Sequence, residues 1–405
     1  MDEALAHNAD LEAAAARVRE ARASLRMINA DALPRVELQI DHTQSQRSTA
    51  SATPVPPGVE RRSADHSVSL AASYELDLWG RLAAGTAAAR QQLRASEWAQ
   101  TAVAWSLTAQ VAETYFNLAA IDRQLLINTA VLASRKQTLE MRQRQLSVGT
   151  GDEFELRRAE AEVTAAEATT VSLARQRAAQ ERALLLLLGR APHELARALP
   201  ITALDETRIP ELKLPQDAAA ALLTRRPDVR EAEANLAAAN ADIDAARAAT
   251  LPSVRLTGAI GSDARQLANL FSGPAALWSL GANIAQAVFD GGRNRARVDQ
   301  QTARAEQALA HYRKIVASAV LDLREAYTAL DLAQSGLHVE TARAAALQRA
   351  YALATQGVTH GALAPLDLLD TERNWQQARL QQVTAARDRL IGQVSVYRAL
   401  GSHPG

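Results

Sequence analysis

Side chains that could do chemistry are scattered along this sequence rather than grouped. Its eight histidines stand at positions 7, 42, 66, 193, 311, 338, 360 and 403, and none belongs to an HExxH pair that could hold zinc beside a general base. The short GTG at 149–151 lacks the lysine that follows the glycines of a phosphate-binding loop. No nucleophile stands in a motif with a base. The sequence therefore predicts a protein that is not an enzyme and that holds no metal or cofactor.

The composition indicates what the chain can build instead. Lysine plus arginine and aspartate plus glutamate each number 45, so the net charge is zero and nothing favours a nucleic-acid partner. Hydrophobic residues make up 48% of the chain but aromatic residues only 4%, so the apolar content is mostly alanine and leucine, which suits close packing of helices. Cysteine is absent, which excludes disulfides and thiolate metal sites.

No stretch of the sequence predicts a membrane-spanning helix. Such a helix needs a run of about 18 or more apolar residues, and the densest apolar run here is 184–188. The first residues, MDEALAHNADLEAAAARV, do not have the pattern of a signal peptide. We therefore expect either a cytosolic protein or one whose export segment has been removed.

The sequence consists of two copies of one unit. AHNADLEAAAARVREARASLRMINADALPRVEL, from residue 6, matches TRRPDVREAEANLAAANADIDAARAATLPSVRL, from residue 224, at an offset of 218. Farther along, the offset is 212 at five landmarks: Gly80-Arg81 with Gly292-Arg293, Tyr115 with Tyr327, Gly149 with Gly361, Glu160 with Glu372, and Gly189 with Gly401. A repeated offset indicates duplication, and we predict a first repeat at 1–214 and a second at 215–405.

Each repeat predicts the same order of elements. The predicted elements are a helix (about 2–31 and 215–249), a β-hairpin (about 35–78 and 252–290), a very long helix (81–147 and 293–360), a glycine turn and a last helix (153–188 and 364–400), with a connector at 190–214. A helix of about 67 residues is roughly 100 Å long at 1.5 Å per residue, longer than any globular core. We expect a mostly α fold with a small β part, in which helices pack side by side with the hairpins at one level and the glycine turns at the far end.

The predicted strands alternate apolar and polar side chains. The apolar set is Val68, Leu70, Tyr74, Leu76, Trp278, Leu280 and Ile284, and the polar set is Ser67, Ser69, Ser73, Glu75, Asp77, Ser279 and Asn283. Two interpretations fit this alternation: the apolar face covers a soluble core, or it faces lipid in a barrel that several chains share. Strands of about 10–13 residues are long enough to cross a bilayer when tilted. The long helices favour the second interpretation, because they offer no wide apolar face for the hairpins to cover.

The change from strand to helix takes only a few residues. In SYELDLWGRLAAG, at 73–85, the alternation ends at Leu78 and helix composition begins after Gly80-Arg81. Gly80 supplies a tight joint, and Trp79 suits a membrane interface. Gly292 and Arg293 take the same place in the second repeat.

Four stretches, in order and over essentially the whole chain, resemble one known family. They are YELDLWGR with VFDGGR in the second repeat, RRPDVREAEANLAAANADI, LPSVRLTG, and GALAPLDLLDTERN. Together they resemble the TolC-like outer-membrane factors, the exit ducts of tripartite efflux pumps and type I secretion systems. The resemblance implies a homotrimer in outer-membrane lipid, with a 12-stranded β-barrel to which each copy gives four strands. It implies an α-helical barrel that continues into the periplasm, and two partners, a periplasmic adaptor protein and the inner-membrane transporter that supplies the energy.

The resemblance also implies a gate at the periplasmic tip. In the family, carboxylates just past the second turn glycine project into the lumen as rings. Gly149 and Gly361 match the turns, Asp367 and Asp370 match the carboxylates, and Glu155 has the same offset in the first repeat. Asp367 is equally suited to a helix N-terminus, where the helix dipole favours a carboxylate.

Two features depart from the family's pattern. Many members carry Arg-Tyr a few residues before the second turn glycine, where the pair holds the gate shut, but this sequence has Gly357-Val358. The family's lipoproteins begin at an acylated cysteine, and this sequence has none. These departures put the usual latch in question, and we expect the lipid anchor to be absent or to have been cut away.

Two other functions compete with the duct. One is a soluble coiled-coil scaffold or adaptor with β-hairpin interaction modules, and the other is a pore-forming toxin built from long helices. Duplicated hairpins of lipid-spanning length favour the duct over the scaffold, because a soluble scaffold has no need of them. The residues do not indicate the cargo, since drugs, metal ions and polypeptides all use such ducts.

Overall fold

The computed structural model describes residues 1–48, 50, 58, 60–190, 203–205 and 225–401. The elements in chain order are α1 (Asp2–His7), α2 (Ala9–Ala30), β1 (Arg35–Gln46), β2 (Arg62–Leu76), α3 (Arg81–Ser147), α4 (Glu153–Leu187), α5 (Pro227–Ala248), β3 (Ser253–Ala264), β4 (Ala276–Ala285), α6 (Arg293–Thr359) and α7 (Pro365–Leu400). Most of the predicted connector, and residues 215–224 of the predicted third helix, lie outside the described residues. The prediction of a mostly α fold with a small β part is confirmed.

The single helix predicted over 2–31 is wrong, because the chain leaves the helix at Asn8. This residue is extended, with ψ 127°, and its Oδ1 accepts hydrogen bonds from the backbone N–H groups of Asp10 and Leu11 at 3.0 and 3.2 Å. Asparagine is one of the preferred residues for capping a helix N-terminus in this way. Its Nδ2 also donates to the carbonyl oxygen of Leu187 at 3.1 Å. Asn8 therefore ends α1 and starts α2.

The two long helices have 67 residues each and contain no proline. They include many alanines, the residue with the highest helix propensity. Among the described residues, no helix has a stretch both long and apolar enough to pass through a bilayer.

The chain forms two compact units. One contains Met1–Ala16, Trp98–Arg230 and Lys314–Gly405. Its core is made of leucine, valine and alanine between helices, and its most deeply buried side chains include Leu118, Leu185, Val383 and Val396. Small side chains such as Ala378 and Ala386 are also completely buried, so helix backbones approach closely there.

The second unit contains Arg17–Glu97 and Glu231–Arg313. Its strands form one antiparallel sheet in the order β1-β2-β3-β4. The two hairpins join because β2 pairs with β3, where Leu70 lies opposite Ile260. Four strands in one sheet support each other better than two separate hairpins, which are marginal in water.

Candidate functional site

One face of the sheet is apolar and exposed. The side chains in register on this face include Val36, Leu38 and Ile40 of β1, Val68, Leu70, Tyr74 and Leu76 of β2, Leu256 and Ile260 of β3, and Trp278, Leu280 and Ile284 of β4. Trp278 and Leu280 are 79% and 80% exposed. A contiguous apolar surface of this kind indicates contact with lipid or with another protein. The interpretation that this face covers a soluble core does not fit these exposures.

The opposite face of the sheet is polar. Its side chains include Glu37, Gln39, Asp41, Ser67, Ser69, Ser73, Glu75, Arg255, Thr257, Ser279 and Asn283. The outermost strands, β1 and β4, each pair with one neighbour only. Each therefore has an edge whose backbone groups have no strand partner among the described residues. Such edges are templates for pairing with another chain.

The joint between β2 and α3 is held by the residues that the sequence singled out. Gly80 has φ +74°, in the left-handed region that glycine adopts without strain. Trp79 donates from Nε1 to the carbonyl oxygen of Pro252 at 2.7 Å, and half of its side chain is exposed. Arg81 donates from Nη2 to Glu75 Oε1 at 2.6 Å. The Arg81 bond thus ties the first residue of α3 to β2, and the Trp79 bond ties the joint to the residue before β3.

A carboxylate caps the helix at both joints, a role that the sequence analysis missed. Asp77 accepts hydrogen bonds from the backbone N–H groups of Leu82 and Ala83. In the second repeat, the backbone N–H groups of Asn294 and Gly292 hold the pKa of Asp290 below its ordinary value. Gly292 has φ +88°, and Arg293 donates its backbone N–H to the carbonyl oxygen of Asp290 at 3.3 Å. An aspartate two or three residues before the joint glycine was the available signal.

Gly80→Ala is expected to lower the free energy of unfolding by about 1–2 kcal/mol, because a Cβ is disfavoured in the left-handed region. A Cβ at this position meets no atom within 4 Å, so the cost is conformational. Gly85→Ala is the matched control, since Gly85 lies inside α3 with equally open space. It should raise the free energy by about 0.5–1 kcal/mol, because alanine is the better helix former. Denaturation followed by circular dichroism measures both, and shifts of the same sign would contradict the role given to Gly80.

Both long helices end in the same glycine turn. Gly149 and Gly361 have φ +75° and +72°. The N–H of Gly149 donates to the carbonyl oxygen of Leu146, and the N–H of the following residue donates to that of Gln145, both at 3.0 Å. Gly361 and Ala362 make the same two bonds at 3.1 and 2.8 Å. This Schellman arrangement satisfies the last carbonyl groups of each helix and reverses the chain.

The structure brings together two of the three carboxylates that the sequence singled out near these turns. Glu155 and Asp370 line one small polar cavity between α3, α4 and α7. Glu155 Oε2 lies 3.5 Å from Arg142 Nη2, and Asp370 Oδ1 lies 3.7 Å from Arg158 Nη2. Asp367 lies apart from them, exposed in the first turn of α7, and it has no ion pair among the described residues.

Charged side chains from three helices line this cavity, and a partly buried serine–glutamate hydrogen bond lies beside them in sequence; we call the whole set the tip cluster. It consists of Ser134, Arg135 and Arg142 of α3, Glu155, Arg158 and Glu162 of α4, and Asp370, Glu372 and Arg373 of α7. Arg135 and Glu372 are both 6% exposed. Ser134 Oγ donates to Glu372 Oε1 at 2.9 Å, and the Arg135 guanidinium lies 3.9 Å from the Glu162 carboxylate. The contacts therefore join each of the three helices to the other two.

The arginines of the tip cluster could not be predicted from the sequence, because single arginines are common along all the helices and follow no motif. Among the described residues, no group of three or more histidine, aspartate or glutamate side chains is placed to hold a metal ion.

Comparison with known proteins identifies the family. The profile of the family described as "Outer membrane efflux protein" matches residues 1–190 and 218–402. The chain belongs to the outer membrane efflux protein family. The family profile matches in two segments that together span most of the chain.

Individual relatives match along almost the whole length of this efflux protein. The "Cation efflux system protein CusC" of Escherichia coli is 31% identical, covering 99% of this chain and 85% of CusC. The "Pyoverdine export outer membrane protein OpmQ" of Pseudomonas aeruginosa is 33% identical, covering 99% of this chain and 84% of OpmQ. A crystal structure of CusC, described with transmembrane channel formation, has a TM-score of 0.88 at 30% identity and covers 99% of this chain and 91% of that chain.

These relatives establish the general function. The protein is an outer-membrane channel of a tripartite efflux pump, located in the outer membrane and extending into the periplasm. The relatives are efflux proteins rather than enzymes.

Proposed function

We propose that three copies of this efflux protein close one 12-stranded β-barrel in the outer membrane. The observation that carries the proposal is an exposed apolar face on a sheet with two unpaired edges. Pairing of β4 in one copy with β1 of the next removes both edges. The apolar face then meets lipid, and the polar face lines a water-filled lumen. The strands have 10 to 15 residues, and about 9–11 are needed to cross a bilayer.

The long helices of the three copies continue the barrel as an α-helical tunnel that carries cargo passively. An inner-membrane transporter supplies the energy, and a periplasmic adaptor protein links it to the tips of the tunnel. Apolar side chains exposed around the glycine turns support the adaptor's docking there. Val148 and Phe154 are 72% and 68% exposed, and Leu363 is 44% exposed. Apolar side chains left exposed at a helix turn are typical of a surface that another protein covers.

The glycine turns and the tip cluster form the gate at the periplasmic end. Asp367, exposed and without an ion pair among the described residues, provides the ring of lumen charge, once per copy. Asp370 and Glu155 have arginine partners, which offset their charge. Their main role in the gate is therefore to hold neighbouring helices together through ion pairs. The Arg158–Asp370 pair connects α4 to α7 and takes over the role of the family's Arg-Tyr latch.

The turn has adapted to the absence of that latch at 357–358. A Cβ at Gly357 would lie 2.6 Å from Leu363 Cδ1, and the N–H of Leu363 donates to the carbonyl oxygen of Gly357 at 3.2 Å. Leu363 therefore occupies the space that a side chain at 357 needs. An arginine there would have to displace this leucine, which supports a latch built from other residues.

The cargo is not assigned by these comparisons. CusC and OpmQ are named for cations and for pyoverdine, yet their identities to this chain are nearly equal. We infer that the choice of cargo rests with the partners of the pump, while this chain supplies a duct of general use.

Purified protein in detergent is expected to be a trimer by multi-angle light scattering, because four amphipathic strands cannot close a barrel alone. Reconstituted in a planar lipid bilayer, the same preparation should show discrete ion conductance. A monodisperse monomer that gives no conductance would contradict the shared barrel. A trimer without conductance would be consistent with the barrel and would mean that the gate is closed in the preparation.

A further inference from the structure

Two histidines face each other at the loop end of the β1–β2 hairpin. His42 and His66 are directly opposed in the strand register. Their ring centroids lie 4.4 Å apart, with 25° between the ring planes, and their Nδ1 atoms are 3.2 Å apart. The rings are therefore stacked, with their Nδ1 atoms closer together than their ring centres. Both side chains reach solvent.

The pair lies on the face of the sheet opposite the one that lines the proposed lumen. His42 and His66 continue the alternation of Ile40 and Val68, so they stand on the apolar face, one step beyond its last apolar pair. The next pair on this face is formed by a glutamine and an alanine, at positions 44 and 64. The carboxylates next in sequence to the histidines, at positions 41 and 65, alternate onto the opposite face. The two imidazoles are therefore the metal-binding groups of this part of the apolar face.

We propose that His42 and His66 bind one divalent transition-metal ion, such as Cu²⁺, Ni²⁺ or Zn²⁺, between them. Imidazole nitrogens bind such ions at about 2.0–2.1 Å. Two nitrogens 3.2 Å apart can both reach one ion at that distance, with an angle at the metal of about 100°. This angle lies between the square-planar and tetrahedral arrangements that these ions prefer. Water completes the coordination, since the described residues of this face offer no third ligand.

Binding requires both rings to rotate out of the stacked arrangement. Each imidazole must turn about its Cβ–Cγ bond until its lone pair points at the ion, and this torsion is soft for histidine. Without metal, the two nitrogens share a hydrogen bond, in which one ring donates and the other accepts. For binding, the donating ring moves its proton from Nδ1 to Nε2, so that both Nδ1 lone pairs are free. The ion then replaces the hydrogen bond with two metal–nitrogen bonds and ties β1 to β2 near their connecting loop. Because it binds the folded hairpin, it should also raise the temperature of unfolding.

Titration calorimetry of the tag-free full-length protein in detergent, with NiCl₂ and separately with ZnCl₂, tests the site. His42→Phe and His66→Phe each keep a stacked ring but remove the nitrogen. We expect one ion per chain in the parent and at least a tenfold loss of affinity in either variant. The double variant should bind no more weakly than either single variant, because one imidazole alone is not enough. His338→Phe, at an exposed histidine of α6, is the control and should change nothing.

Three results would overturn the proposal. Equal affinity in parent and single variants would place the bound ions elsewhere on the chain. A loss in only one variant would indicate a lone histidine ligand. If the parent binds the ion no more strongly than the double variant, the two histidines form a hydrogen bond and do not bind metal. The test does not depend on the channel, so its failure would leave the proposed function untouched.

Discussion

Leu280→Arg is expected to remove most of the trimer from the outer membrane. Leu280 lies in the middle of β4 on the apolar face and is 80% exposed, so in the barrel its side chain meets lipid. An arginine on the lipid face costs about 2–4 kcal/mol near the bilayer midplane. Each trimer carries the substitution three times, so the loss per assembled barrel is larger than this figure.

Ser279→Arg provides a control at the preceding residue of the same strand. Ser279 lies on the polar face, so its arginine would point into the water-filled lumen and assembly should change little. Both substitutions place an arginine at adjacent residues of β4, so their difference reports on the face that each side chain occupies. Heat-stable trimer in outer-membrane fractions, separated by gel electrophoresis, is the readout. Equal loss at both positions would mean that the assignment of the two faces is wrong.

Sequence patterns predicted the local elements well, because their signals are periodic. The alternation from Val68 to Leu76 specifies which side chains share a face, and the register places all of them together. A long stretch of alanine-rich sequence without proline specifies each long helix. The glycine turns were equally readable, since the same residue stands at the end of both copies of the helix.

Contacts between distant residues left no such signal. The pairing of β2 with β3 joins segments nearly two hundred residues apart, and alternation in each strand says nothing about its neighbour. Arg158 and Asp370 are also far apart in sequence, and only the folded chain brings them together. The break at Asn8 could have been predicted, because asparagine is a common capping residue. The helix pattern on both sides of it favoured one continuous helix instead. Sequence reasoning therefore singled out Glu155 and Asp370, and it missed Arg142 and Arg158, which pair with them.

In the proposed gate, the Arg158–Asp370 pair holds two helices together and Asp367 supplies the charge, so the two roles can be tested separately. Arg158→Ala is expected to open the channel more often. The change removes the link between α4 and α7, while Asp370 keeps Arg373 of its own helix at 3.4 Å. The Arg158 and Asp370 side chains are 29% and 47% exposed, so the pair contributes about 0.2–1 kcal/mol per copy. If the three copies act together, the ratio of open to closed channels should rise about 3- to 150-fold.

Arg157→Ala is the control for this substitution, since the partners of Arg157 among the described residues, Glu153 and Glu160, both belong to its own helix. It removes the same charge one residue away without breaking a link between helices, so the open probability in single-channel recordings should stay at the parent's value. Ion selectivity gives an independent readout. In Arg158→Ala the reversal potential in a salt gradient should keep its cation preference, because Asp367 is unchanged, whereas Asp367→Ala should weaken that preference without opening the channel. If Arg158→Ala and Arg157→Ala gate alike, the tip cluster is a structural contact and the latch lies elsewhere. If Asp367→Ala keeps the parent's reversal potential, that carboxylate only stabilises the first turn of α7.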